Sequence, residues 1–130
     1  MLDTDISSYV IKGGAPAIDT RLRGMDVMQV CISAITRAEL RFGVRRLRGA
    51  VRLAAGVERF LSGVHTLPWD EFAADEFADV RADLERSGTP IGVMDTMIAA
   101  HAKAVRAILV TNNVKHFRAV KGLAVENWME

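Results

Sequence analysis

A single cysteine, Cys31, stands among the 130 residues. No disulfide can form within the chain, and a reducing, cytoplasmic setting is the expectation. Net charge is equally scarce. Seventeen Lys and Arg stand against 16 Asp and Glu, a formal +1, which gives no reason to expect a general binder of polyanions. Aromatic residues make up 6% of the chain, and Trp69, Trp128 and the phenylalanines do not interleave with basic residues. A base-stacking platform is therefore not written in the sequence, and most of these rings belong in a core. No apolar stretch is long enough to span a bilayer. No basic segment leading into an apolar one opens the chain, so neither a membrane span nor a secretory leader is expected. Internal repeats and low-complexity tracts are absent. His65, His101 and His116 are scattered without ligand spacing and read as structural or surface residues.

What is present is apolar material. Half of the residues are hydrophobic, enough for one core within a single domain over residues 1–130. Short apolar runs alternate with longer helical patterns. Strands are expected at Leu2, at residues 27–32, at 64–67, at 107–110 and near 123–125. Helices are expected at about 7–11, 16–25, 34–47, 51–61, 70–86 and 94–105, with a short turn at 114–117. Ser33 and Asp70 are good N-caps. Strands separated by helices imply right-handed crossovers. The expected fold is a three-layer α/β/α sandwich around a central, mainly parallel sheet of four to five strands. A strand at residues 1–3 can lie in the middle of such a sheet. Its polar end, Asp3-Thr4-Asp5, would then open onto the crevice where open α/β sheets bind ligands.

Three acids stand at positions where a solvated role is not the simplest account. On a straight helix, Glu39 falls beside Ile35, Phe42, Gly43 and Arg46, near the middle of a partly apolar face. Such a carboxylate needs a partner, a cation or a cleft; pairing with Arg46 at the rim of the core is the alternative. Gly43 costs about 1 kcal/mol relative to alanine within a helix, which suggests that something else approaches closely there. Asp95 shares a face with Ile98, Ala99 and Ala102 at the start of a helix. It either complements the helix dipole or faces the space that the small residues leave. Asn112 and Asn113 follow a β-branched run; they form a turn or supply an oxygen near Asp3. Three carboxylates in one pocket repel. At roughly 5 Å and an effective dielectric near 20, each pair costs on the order of 3 kcal/mol. Such a cluster requires a cation or raised proton affinities. Oxygen-only donors favour Mg²⁺ or Mn²⁺ over zinc, and such an ion can activate water and stabilise charge on a phosphodiester.

The basic residues segregate too. Arg37, Arg41, Arg45, Arg48 and Arg52 form one stripe if the helix continues past Gly49. The same wheel puts Glu39 nearly opposite, so the stripe reads as a solvated or partner-facing surface rather than a phosphate track. Arg46, on the Glu39 side, is the better candidate for touching phosphate. Residues 70–86 are the reverse, rich in Asp and Glu over a buried side of Phe72, Ala73, Phe77, Val80 and Leu84.

Taken in order, Met1-Leu2-Asp3-Thr4-Asp5, Ile35-Thr36-Arg37-Ala38-Glu39-Leu40 with Gly43, Ile91-Gly92 with Asp95 and Ile98-Ala99-Ala100-His101-Ala102, Val110-Thr111-Asn112-Asn113 with Phe117, and Gly122-Leu123 with Glu126-Asn127-Trp128 form a specific series. In their order and spacing the chain resembles, from end to end, the VapC-type toxins of the PIN-domain ribonuclease family. The resemblance implies the toxin of a VapBC toxin–antitoxin system. Such a protein is a Mg²⁺-dependent endoribonuclease, with Mn²⁺ as a substitute, acting on a structured RNA of which tRNA is the favoured class. It further implies neutralisation by a VapB-like antitoxin lying in a groove between helices. Also implied are a homodimer, a heterotetramer or larger assembly with antitoxin, and an antitoxin arginine that replaces the metal's charge.

Position by position, Asp3, Glu39 and Asp95 match the family's three acids. Asp3 and Asp95 would be primary metal ligands, and Glu39 would bind directly or through water. Thr111 would position water, substrate or the Asp3 side chain. Asn113 would serve a phosphate oxygen or a water. In-line hydrolysis would leave a 5′-phosphate and a 3′-hydroxyl. Two departures stand out. Asp5 occupies a position that commonly holds Asn, and is expected to cap the next helix. Asn113 occupies one that is often Asp, which implies a single tightly held ion. Other readings are a PIN-type RNA-maturation nuclease without antitoxin and an inactive binding module. A phosphoacceptor receiver domain is disfavoured, because residues 64–69 end without the acid it needs.

Overall fold

The computed structural model describes residues 1–129. Four short strands, β1 (Cys31–Ser33), β2 (His65–Leu67), β3 (Leu109–Val110) and β4 (Val125–Glu126), pair in parallel as β1 with β2 and β3 with β4. Leu2 joins the two pairs, bridging in parallel to Ile32 on one side and Val110 on the other. The backbone is continuous across this junction: Leu2 N–H donates to the Cys31 carbonyl at 2.9 Å, and Asp3 N–H to that of Val110 at 3.0 Å. The order is thus β2, β1, Leu2, β3, β4, with the opening residues in the middle, as expected from the sequence.

Among the described residues, seven helices connect these strands: α1 (Thr4–Lys12), α2 (Pro16–Arg23), α3 (Ala34–Arg45), α4 (Val51–Gly63), α5 (Glu71–Arg86), α6 (Val93–Ala104) and α7 (Val114–Phe117). Strand side chains alternate between faces, and the core divides accordingly. Met1 and Leu109 join Val80, Leu84, Ile98 and Phe117 on the α5–α6 side. Leu2, Ile32 and Val110 join Ile6, Ile18, Leu40, Val57 and Leu61 on the side of α1 to α4. This is the anticipated three-layer α/β/α arrangement. No helix among the described residues is long and apolar enough to cross a membrane.

Three local expectations are corrected. Residues 27–32 are not one strand. Asp26 accepts from Met28 N–H and Gln29 reaches back to the Asp26 N–H, so Val27–Gln29 forms a 3₁₀ turn and pairing begins only at Cys31. α1 starts earlier than periodicity suggested, because Asp3, not Asp5, is its N-cap: Asp3 Oδ1 accepts from Ile6 N–H at 2.8 Å. Finally, the basic stripe is broken. α3 ends at Arg45, Gly49 turns the chain at φ +68°, and α4 starts afresh at Val51. A left-handed residue favours glycine, and it prevents one continuous helix.

Candidate active site

In a parallel sheet all strands end on one edge. Here that edge presents Asp3 after Leu2, Ser33 after Ile32, and Thr111 after β3. Three helices leave or arrive beside it, bringing Glu39 on α3, Asp95 in the first turn of α6, and Asn113 at the start of α7.

Asp3 is 4% exposed, and burial raises its carboxyl from an ordinary 3.8 to about 6. The Thr111 hydroxyl and the Ile6 N–H pull in the opposite direction, while the charges of Asp5 and Asp95 push upward with burial. Glu39 is half-buried, and its proton affinity is raised by burial and by Asp95 and Asp5, against a hydrogen bond from Thr4. That bond, Thr4 Oγ1 to Glu39 Oε1 at 2.6 Å, is short and charge-assisted. Thr4 also lies 3.1 Å from the buried Thr36 hydroxyl. Asp95 is raised by burial and by Asp5, against the adjoining His116, whose Nε2 lies 3.5 Å from Asp95 Oδ2. Asp95 thus adds repulsion to both Asp3 and Glu39, and Asp5 adds it to all three acids.

Among the described residues, no three Asp, Glu, His or Cys side chains stand close enough together to hold one ion. Glu39 is turned to Thr4 and Asp95 to His116. Each of these contacts engages one carboxylate oxygen, Glu39 Oε1 and Asp95 Oδ2, and leaves the other for a further partner. The donor set itself fits a hard divalent cation: oxygen-only, partly desolvated, and carrying repulsion that a cation relieves.

Thr111 is fully buried, and its Oγ1 accepts from Asn113 N–H at 2.9 Å, which fixes the turn after β3. Asn113 is exposed and starts α7 without a side-chain cap bond, so its amide is free for other use. The expected cap role of Asp5 fails, but its charge reaches all three acids. His116, expected to be a structural or surface residue, lies against Asp95. Its position four residues before the buried Val120 gave no signal; only its closeness in chain to Asn113 could have pointed there. His101 is structural as read: buried, with Nδ1 2.7 Å from Ser33 Oγ. Glu39 does not pair with Arg46; its partner is Thr4. Nor does anything approach Gly43. A Cβ built there meets no atom within 4 Å, because the helix face opens onto a cavity.

The PIN domain family matches residues 1–123. The tRNA(fMet)-specific endonuclease VapC of Shigella flexneri is 38% identical over 128 residues, covering 98% of this chain and 96% of the relative. Ribonuclease VapC2 of Haemophilus influenzae (strain ATCC 51907 / DSM 11121 / KW20 / Rd) is 39% identical over 129 residues, covering 99% and 97%. Among solved structures, a chain of the DNA-bound VapBC from Salmonella typhimurium superposes with a TM-score of 0.93 at 38% identity, covering 98% of this chain and 96% of that one.

Proposed function

The chain belongs to the PIN-domain family, among its VapC ribonucleases, and from that membership we propose that it is a Mg²⁺-dependent endoribonuclease toxin whose centre is Asp3, Glu39 and Asp95. The observation that supports the assignment is that Asp3, Glu39 and Asp95 come to one sheet edge, where burial raises the proton affinity of each and Asp5 adds repulsion to all three. Asp3 and Asp95 would hold the ion as primary ligands and Glu39 would bind it directly or through water, with Mn²⁺ a workable substitute. When bound, the ion supplies Lewis-acid activation of water and stabilisation of charge on the phosphodiester.

The chain's own residues do the rest. Thr111 donates to Asp3 and keeps that carboxylate aimed into the pocket. Asn113, held by the Thr111 turn, donates its amide to a phosphate oxygen. The cap bond from Ile6 N–H engages Oδ1 and restrains the rotamer of Asp3, leaving Oδ2 for another partner.

By likeness to the relatives above, the substrate is a tRNA, and the partner is a VapB-type antitoxin with which a dimer of this chain assembles on DNA. Residues 1–130 act as a single PIN domain in the cytoplasm. The deciding experiment maps RNA 5′ ends after induction of the chain and of Asp95→Asn, and titrates Mg²⁺ against purified tRNA. Cleavage that needs Mg²⁺, stops with chelator, disappears in Asp95→Asn and is silenced by a co-expressed antitoxin is the expected result. Cleavage retained in Asp95→Asn overturns the assignment.

A further inference from the structure

A cavity of about 620 Å³ runs between α1, α3 and α4. Along α1 it is lined by Thr4 and, two turns on, Lys12; along α3 by Glu39, Gly43 and Arg46, with apolar side chains such as Leu40 and Val57 between, so the hydrogen-bonded Thr4–Glu39 pair and the two cations lie about two helical turns apart. The two ends differ in sign, and the positive end is uncompensated. Among the described residues, the ion pairs engage Arg41 with Glu58 and Lys103 with Glu76, but neither Lys12 nor Arg46. Arg37, by contrast, is spent on the Thr66 hydroxyl. Glycine at position 43 leaves the middle of the cavity empty, although a helix interior favours almost any other residue.

Resting on the ribonuclease reading above, we propose that this cavity is the path of the RNA strand beside the scissile bond. Lys12 and Arg46 hold backbone phosphates, and Gly43 keeps the path open. Charge argues for the occupant. A strand whose reacting phosphate lies among carboxylates gains nothing there without the metal, so anchoring must come from cations along its length. Two exposed cations at the far end of the same cavity supply it, Arg46 through a planar fork and Lys12 as a point charge. A side chain at position 43 would stand between the two ends.

The test uses the purified full chain and a short RNA oligonucleotide that it cleaves, together with the same oligonucleotide bound in EDTA, where no cleavage occurs. Lys12→Ala with Arg46→Ala should raise KM about tenfold while kcat stays within about twofold. In EDTA, the slope of log affinity against log salt should fall by about 1.4, roughly 0.7 per lost phosphate contact on a single strand. Arg46→Lys should recover part of the loss. Gly43→Leu should raise KM at least as much without lowering the unfolding midpoint, since leucine suits a helix better than glycine. Unchanged KM and salt slope in the double variant overturn the proposal. So does a double variant that cleaves and binds RNA as the parent does but loses antitoxin affinity, which would make the cavity a peptide site. Absence of Mg²⁺-dependent cleavage in the parent would instead strike the ribonuclease reading, and the EDTA binding arm would still judge Lys12 and Arg46.

Discussion

Thr4 restrains Glu39: its hydroxyl donates to Oε1 at 2.6 Å, across 35 positions of sequence, and ties the first turn of α1 to the middle of α3. The carboxylate is half-buried, so losing this donor leaves desolvation uncompensated. Thr4→Val keeps the shape and removes the donor. Without divalent ion it should cost about 1–2 kcal/mol of unfolding free energy, the scale of a hydrogen bond to a charged group. With saturating Mg²⁺ the difference should shrink, because the ion then compensates the Glu39 charge that Thr4 otherwise stabilises. Urea denaturation with and without Mg²⁺ checks both; an equal loss in the two conditions would show that the ion does not reach Glu39.

Asp3 has two duties that a single substitution separates. It caps α1 through Ile6 N–H, and it carries a raised, partly suppressed charge. Asparagine caps a helix as well as aspartate does but is a poor ligand for a hard cation. Asp3→Asn should therefore keep or raise metal-free stability while cleavage falls roughly 100-fold or more, the equivalent of several kcal/mol of charge stabilisation. Loss of stability together with activity would mean that the cap, not the charge, is what the substitution removed.

Much of this arrangement was legible because it is local or periodic. Ser33 and Asp70 announced the starts of α3 and α5. Alternation of short apolar runs with helices announced the parallel sheet. The series from Asp3 through Glu39 and Asp95 to Asn113 pointed to acids gathered at the ends of the strands. What could not be read depends on side chains meeting across elements. Nothing near Glu39 in sequence names Thr4 as its partner, nothing near Asp95 names His116, and a glycine in a helix looks the same whether a neighbour presses on it or, as at Gly43, a cavity opens. The strand expected at residues 27–32 failed for a different reason. β-branched Val27 and Val30 suggested a strand, but the Asp26 and Gln29 side chains captured the local backbone donors first.

The acid pocket should make stability depend on pH in an unusual direction. Asp3 holds its proton more tightly in the folded chain, at about 6 against an ordinary 3.8. A raised carboxyl costs nothing below its unfolded value, and its penalty grows as pH rises through about 4 to 6. For Asp3 that penalty reaches on the order of 3 kcal/mol. Glu39 and Asp95 are shifted in the same direction. Without divalent ion, the difference in unfolding free energy between Asp3→Asn and the parent should therefore widen from about pH 4 to pH 6 and level off above it. Excess Mg²⁺ at pH 7 should close most of it. A difference that does not change across that window would show that Asp3 ionises as freely as in water.

Ser33 joins the sheet edge to both layers. Its hydroxyl accepts from Ile35 N–H at 3.1 Å, capping α3, and lies 2.7 Å from Nδ1 of His101 on α6. Both Ser33 and His101 are buried, and burial lowers the proton affinity of the imidazole against the pull of Asp70. Ser33→Ala removes a cap, worth about 1 kcal/mol, and strands a buried ring nitrogen, worth about 1–3 kcal/mol more. The expected total is about 2–4 kcal/mol, large enough to lower the unfolding midpoint by several degrees in a domain of this size. The double variant Ser33→Ala with His101→Phe should recover the second part but not the first, because phenylalanine needs no partner while α3 still lacks its cap. If the double variant is no more stable than Ser33→Ala alone, the Ser33–His101 contact contributes nothing and the whole loss lies in the cap.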